Sequence, residues 1–146
     1  MVIKLIDYKG RAPERNHMND AGADVFAKEK TLLKAGEITK VPLGFGIHLP
    51  NGFVGFVLPR SGMSSNYNLT TEVVPIDSGY TGEIHAIMHN ANKEDVAVEQ
   101  GTKVAQLVIV PTVLASFTYQ DLDERGTKGF GSSGNGLSKW KTIYTQ

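Results

Sequence analysis

The amino-acid sequence predicts an all-β protein, a barrel or sandwich of short strands with one short helix. Short β-like runs recur along the chain, separated by Gly, Pro and Asn, with turn signals every 8–12 residues or so. Phe45, Ile47 and Leu49 alternate with Gly44, Gly46 and His48, the period-two pattern of a half-buried strand. Only one stretch, near Ser61 to Asn66, reads as helix.

Taken in order, Val2 to Ile6 is the first run, and Ala21 to Phe26 the second, with Asp24 placed between small residues just ahead of Val25 and Phe26. Leu32 and Leu33 lead to the turn signal Ala35-Gly36, then to Ile38 to Pro42. Asn51-Gly52, a strong hairpin signal, separates Phe45 to Leu49 from Phe53 to Leu58. Pro75 to Ile84 reads as strand, glycine-rich turn and strand, and the turn holds Asp77 and Tyr80 between Gly79 and Gly82. Ile84, Ile87, Met88 and Ala91 also fit a helical period, but Glu94 and Asp95 break it, so this run is read as a strand. Val104 to Val110 is rich in β-branched residues and stops at Pro111. Residues 1–120 are therefore expected to form one domain. Residues 121–146 have few apolar groups, and Gly126 to Gly136 is mostly Gly and Ser around Phe130, so they are expected to form a mobile arm.

The 146 residues suffice for one domain that buries roughly 68–70% of its unfolded surface. Fifteen basic and fifteen acidic residues cancel, so no global field argues for a nucleic-acid or membrane partner. There is no cysteine, which excludes disulfides and thiolate metal sites. Lys4 and Asp7 interrupt the start too early for a secretory signal, and the longest charge-free apolar run is shorter than the ~20 residues of a spanning helix. The expectation is a soluble, cytoplasmic protein.

Several stretches carry chemistry. In Pro59-Arg60-Ser61-Gly62 at a strand end, arginine offers a planar fork for phosphate, serine a hydroxyl, and glycine room for backbone amides. Arg125 to Gly134 has the composition of a phosphate-wrapping loop, with Phe130 suited to stacking on a base. Gly129, Gly131 and Gly134 match a dinucleotide spacing, but no strand precedes them and too little chain follows for a βαβ unit. Gln106 is a polar residue inside an apolar strand, placed to contact a ligand oxygen if that strand lies at a sheet edge. His85 and His89 lack a third ligand and are not read as a metal site.

Five stretches in this order resemble the five motifs of the trimeric deoxyuridine triphosphatase (dUTPase) family. They are Ala21 to Val25, Pro59 to Gly62, Ile76 to Ile84, Gly101 to Leu107 and Arg125 to Gly134. The resemblance implies a distorted jelly-roll β-barrel, a homotrimer with sites at subunit interfaces, and a C-terminal arm that closes over a neighbour's site. It implies hydrolysis of dUTP to dUMP and pyrophosphate with Mg²⁺, which keeps uracil out of DNA and supplies dUMP for thymidylate synthesis. Asp77 would then be the general base for water attacking the α-phosphorus. Tyr80 would pack under the deoxyribose, and backbone groups near Ile76 would read the uracil edge. Asp24 would hold Mg²⁺ through water. Arg60, Ser61, Gly62 and Gln106 would bind phosphates, Arg125, Gly131, Ser132 and Ser133 would clamp the distal ones, and Phe130 would stack on uracil. The family usually places Asn and Gly where this chain has Thr71 and Val74.

Two rival readings stand beside this one. dCTP deaminases, and bifunctional deaminase–dUTPases, resemble the chain around Arg60 and Asp77. They carry a glutamate where Ile87 stands and an arginine where Ser65 stands, so the proton shuttle is missing here. The other rival is a nucleotide-gated regulatory module that keeps the site without turnover.

Overall fold

The computed structural model describes residues 1–122 of the chain. It divides into two units, Met1–Leu114 and Ala115–Gln146. The first unit contains β1 (Lys4–Asp7), β2 (Ala23–Phe26), β3 (Thr31–Leu33), β4 (Ile38–Pro42), β5 (Phe45–His48), β6 (Phe53–Leu58), α1 (Ser61–Tyr67), β7 (Leu69–Thr71), β8 (Val74–Ile76), β9 (His85–Asn90), β10 (Val96–Val98) and β11 (Lys103–Pro111). Among the described residues no helix is long and apolar enough to cross a membrane.

All of the paired strands are antiparallel and form four sheets, β2-β11-β6-β8, β4-β9-β7, β1-β5 and β10-β3. The all-β class with one short helix is as the sequence predicts. The jelly roll is distorted: among the described residues no ladder closes the sheets into a barrel. They are joined instead by one core. Val25, Val57 and Val104 from the first sheet meet Val41, Leu69 and Met88 from the second, with Phe45 and Ile47 from β5 and Leu33 and Val98 from β3 and β10. Burying such apolar side chains is worth about 1.5–3 kcal/mol each, so strands of three to five residues persist despite their length.

Strand alternation then decides what faces out. Val25 points into the core, so its neighbours Asp24 and Phe26 lie on the opposite face of β2. The guanidinium of Arg11 covers Phe26, 3.8 Å from the ring centroid, and keeps it from water. Asn90 is the fully buried polar side chain of the second sheet. Its amide donates to the carbonyls of Leu33 and Glu94, each at 2.9 Å, and its oxygen accepts from the backbone and side-chain amides of Asn92.

Three sequence expectations need correction. Asn51-Gly52 does form a turn, with Gly52 at φ 85°, but β5 and β6 do not pair. β5 pairs with β1, and β6 pairs with β11 and β8, so the turn passes the chain from one sheet to another. The Pro75 to Ile84 stretch is likewise not a two-stranded hairpin. Thr71 pairs with Met88 and the Glu72 amide bonds Ile87, and then the arms separate. β8 turns to pair with β6 while β9 pairs with β4. The first strand also starts later than expected, at Lys4, and Val2 is exposed.

Candidate active site

The first cluster is built on the row of residues aligned across the β2-β11-β6 sheet. Asp24 lies opposite Gln106, and Gln106 lies opposite Leu58. The next residues beyond Leu58 are Pro59 and Arg60. Arg60 remains extended, at φ −107° and ψ 137°, and α1 begins at Ser61 without a side-chain cap on its first amides. The helix ends after seven residues because Asn68 adopts a left-handed conformation, φ 53°, and its N–H bonds the Met63 carbonyl. Arg60, Ser61 and Gly62 thus come together with Asn16, Asp20, Ala21, Gly22, Asp24 and Gln106 around a polar cavity of about 350 Å³.

Electrostatics organise this cavity. The Asp24 carboxylate is only 15% exposed and is held by two cations, Arg60 Nε at 3.1 Å and Lys103 Nζ at 3.3 Å. Lys103 reaches it because of a β-bulge. The register of β11 on β2 shifts between Lys103 and Ala105, so Lys103 falls opposite Phe26, on the same face as Asp24. Without that extra residue Lys103 would face the other side. Arg60 and Lys103 balance Asp24 and Asp20 in charge, so what suits an anion here is local: the Arg60 fork, the Ser61 hydroxyl and the room for an amide at Gly62. Gln106 donates from Nε2 to the Pro59 carbonyl at 2.9 Å, which fixes the β6–α1 junction. β11 lies between β2 and β6, so Gln106 is mid-sheet and not at an edge, and its side chain reaches the cavity from there. Gly22 leaves room beside it: a Cβ at that position would overlap the Gln106 side-chain oxygen and push that side chain aside.

The second cluster surrounds Asp77. The splayed arms of β8 and β9 bracket a cavity of about 290 Å³ lined by Val74, Pro75, Ile76, Asp77, Tyr80, Glu83, Ile84, His85 and Ile87, with Lys40 from β4. Asp77 is exposed, and among the described residues nothing bonds its carboxylate. Tyr80 is 48% exposed, and its hydroxyl donates to the Glu83 carbonyl at 2.9 Å. The same carbonyl lies 3.1 Å from His85 Nδ1. Thr71 does not reach this cavity. It is buried, and its hydroxyl donates to the Val104 carbonyl at 3.2 Å, whereas Val74 does line the cavity. Lys40 had no signal in the sequence as a cavity residue, because β4 meets β9 only through sheet pairing.

The two clusters are far apart within one chain. Ile76 opposes Gly55, so Asp77 lies alongside Val54, while Asp24 lies in the row of Leu58 three strands away. At about 3.3 Å per residue and 4.8 Å per strand, Asp77 and Asp24 are separated by roughly 20 Å. Arg60 is further along β6 and comes out at a similar distance from Asp77. Arg125, Phe130, Gly131, Ser132 and Ser133 lie outside the described residues. Among the described residues there is no group of three or more His, Cys, Asp or Glu able to hold a metal alone. Asp24 offers one carboxylate opening on the cavity it shares with Arg60, Ser61 and Gly62. That donor set fits a hydrated Mg²⁺ held mainly by substrate phosphates, since Mg²⁺ keeps several waters and takes one or two carboxylates.

Residues 9–134 match the family model described as dUTPase. The chain is 44% identical over 140 residues to a deoxyuridine 5'-triphosphate nucleotidohydrolase of Cutibacterium acnes, covering 92% of each chain. Among solved structures it superposes on the dUTPase of Staphylococcus bacteriophage 80alpha, a mutant solved with dUpNHpp, with a TM-score of 0.80 and 30% identity over 91% of this chain and 98% of that one. A mutant dUTPase from phage phi11 of S. aureus, described as revealing the coordination of a structural Mg(II) ion, superposes with a TM-score of 0.80 and 28% identity over 85% of this chain and 99% of that one.

Proposed function

Because the chain belongs to the dUTPase family, we propose that its two clusters act on one nucleotide, each taken from a different subunit, to hydrolyse dUTP to dUMP and pyrophosphate. The enzyme is a dUTP diphosphatase. The observation that carries the two-subunit reading is the separation of roughly 20 Å between Asp77 and the Asp24–Arg60–Gln106 row. A base that deprotonates water must lie within about 3 Å of it, and that water about 3–3.5 Å from phosphorus. Asp77 therefore cannot serve a phosphate bound at its own chain's Arg60 cavity. A homotrimer of the kind the resemblance implies would bring the two clusters together.

In this reading the cavity beside Asp77 takes the nucleoside. The Tyr80 ring supports the deoxyribose and leaves no room for a 2′-hydroxyl, and backbone groups near Ile76 face the uracil edge. Asp77 accepts the proton of the attacking water. Arg60, the Ser61 hydroxyl, the Gly62 amide and Gln106 hold the triphosphate, and the α-phosphate lies in line with that water. Arg125, Gly131, Ser132, Ser133 and Phe130 would close over the distal phosphates and the base from the segment 121–146, with residues 1–120 forming the jelly-roll domain. When bound with the nucleotide, Mg²⁺ supplies neutralisation of triphosphate charge, with Asp24 contacting its water shell. Positioning and charge neutralisation then make up most of the catalysis.

The dUTP analogue bound to a neighbouring structure supports the nucleotide class, and Ile87 in the Asp77 cavity supplies no proton shuttle for deamination. The test is pyrophosphate release from dUTP, dTTP, dCTP and UTP, with Mg²⁺ and with chelator. Turnover of dUTP that is lost on chelation is expected. Tight binding of dUTP without turnover would instead support a regulatory module, and ammonia released from dCTP would support a deaminase.

A further inference from the structure

The turn from Asp77 to Ile84 has no ladder of its own, because β8 and β9 pair with different strands. A site built on it nevertheless needs its side chains held to within about 0.5 Å. The contacts that hold it come from distant parts of the chain. The Tyr8 hydroxyl donates to the Thr81 carbonyl at 2.9 Å, across 73 residues. The Gly44 amide donates to Glu83 Oε2 at 2.9 Å, and Lys28 Nζ lies 3.6 Å from the same oxygen. Leu43 and Phe45 bond both sides of Ile84, at 3.1 and 2.9 Å. Gly46 lets the turn sit directly on β5: a Cβ there would come within 2.8 Å of the Gly82 carbonyl oxygen and 3.0 Å of that of Thr81.

We propose that Tyr8 and Glu83 are positioning residues that clamp the Thr81–Glu83 backbone onto β5 and thereby set the tilt of the Tyr80 ring. The link to Tyr80 is direct, since its hydroxyl donates to the carbonyl of Glu83 itself. The clamp rests on the assignment of Tyr80 as the sugar platform. Tyr8 falls just ahead of the family match, which begins at residue 9, so the motif pattern does not reach it. Of the two contacts of Glu83, the amide bond to Gly44 is the one that fixes geometry. The Lys28 contact is longer, at 3.6 Å, and a point-charge contact at that distance fixes orientation less than the amide hydrogen bond does. Glu83→Gln therefore keeps the acceptor for Gly44, and Glu83→Ala removes it. A loosened ring would admit a 2′-hydroxyl, so the clamp should control the choice of dUTP over UTP more than stability.

The experiment measures kcat and KM on dUTP and UTP, with thermal melting, for the wild type, Tyr8→Phe, Glu83→Ala and Glu83→Gln. Loss of one hydrogen bond corresponds to a change of about two- to twelve-fold. The dUTP preference is expected to fall by about three-fold in Tyr8→Phe and about ten-fold in Glu83→Ala, with Glu83→Gln near the wild type. An unchanged preference, with any activity loss following the melting temperature, would overturn the clamp. Tyr8→Phe is nearly isosteric and keeps the proposal testable if Glu83→Ala does not fold. Fluorine NMR of fluorotyrosine-labelled protein reads the Tyr80 environment without turnover. A wild type unable to hydrolyse dUTP would refute the functional reading. A Tyr80 signal unmoved in both variants would refute the clamp.

Discussion

Refolding Asp77→Asn chains together with Arg60→Ala chains is expected to restore about a quarter of wild-type dUTP turnover, the statistical yield of a cyclic oligomer whose sites are shared. Strand register sets the distance. Asp77 lies beside Val54 and Arg60 follows Leu58 on the same strand, so the two residues are separated by roughly 20 Å within a chain. The geometry of water attack allows a base about 7 Å from phosphorus at most. On the proposed reading each site combines Asp77 of one subunit with Arg60 of another. In an equal mixture half of the sites hold a wild-type Asp77, and half of those face a wild-type Arg60. The Asp77→Asn parent alone should retain about 1% or less of activity, since a general base contributes 10²–10⁴-fold, and the Arg60→Ala parent about 10% or less, for loss of a charge-assisted phosphate contact. The mixture should therefore exceed the first parent by about 25-fold and the second by at least about two-fold. The assay is pyrophosphate release after joint denaturation and refolding, with hybrid oligomers confirmed by native mass spectrometry. Hybrids that form but stay at parental activity would refute the shared site and place both clusters' functions within one chain.

Other expectations are narrower. Asp77→Asn alone should bind dUpNHpp within a few-fold of wild type by calorimetry while turnover falls by about 10² or more; retained turnover would remove Asp77 from the mechanism. Asn90→Ala leaves the carbonyls of Leu33 and Glu94 and the amide of Asn92 without their partner. It should cost about 2–4 kcal/mol in urea unfolding, and a change within 0.5 kcal/mol or so would show that water replaces the side chain. Truncation before Arg125 should leave thermal melting unchanged and collapse dUTP turnover. A lowered melting temperature would show that the segment contributes to the core.

Much of the fold was legible in local pattern. The alternation of Phe45, Ile47 and Leu49, the β-branched run of β11 and the breaker pair Glu94 and Asp95 each act within a few residues, and each predicted its strand. The short helix after Arg60 was legible for the same reason. The hairpin readings failed because turn chemistry reports only that the chain reverses, not which strand it meets afterwards. Asn51-Gly52 reverses the chain as expected, yet burial against β1 on one side and β11 on the other outweighs pairing of β5 with β6. Lys40 stands next to Asp77's cavity through sheet pairing alone, and no spacing in the sequence encodes that neighbour.

The sequence by itself determined the residue chemistry: a lone acid among small residues at Asp24, a phosphate-suited Arg60-Ser61-Gly62, and an acid and an aromatic ring within one glycine-rich turn. These follow from side-chain type and near-neighbour spacing, which folding does not alter. Only the tertiary structure decided how that chemistry is distributed. The bulge at Lys103 placed a second cation on Asp24, the sheet order put Gln106 mid-sheet beside Pro59, and strand register set Asp77 roughly 20 Å from them. Register is a long-range property, fixed by which apolar faces share the core, and it divides one recognisable set of motifs into two separate clusters.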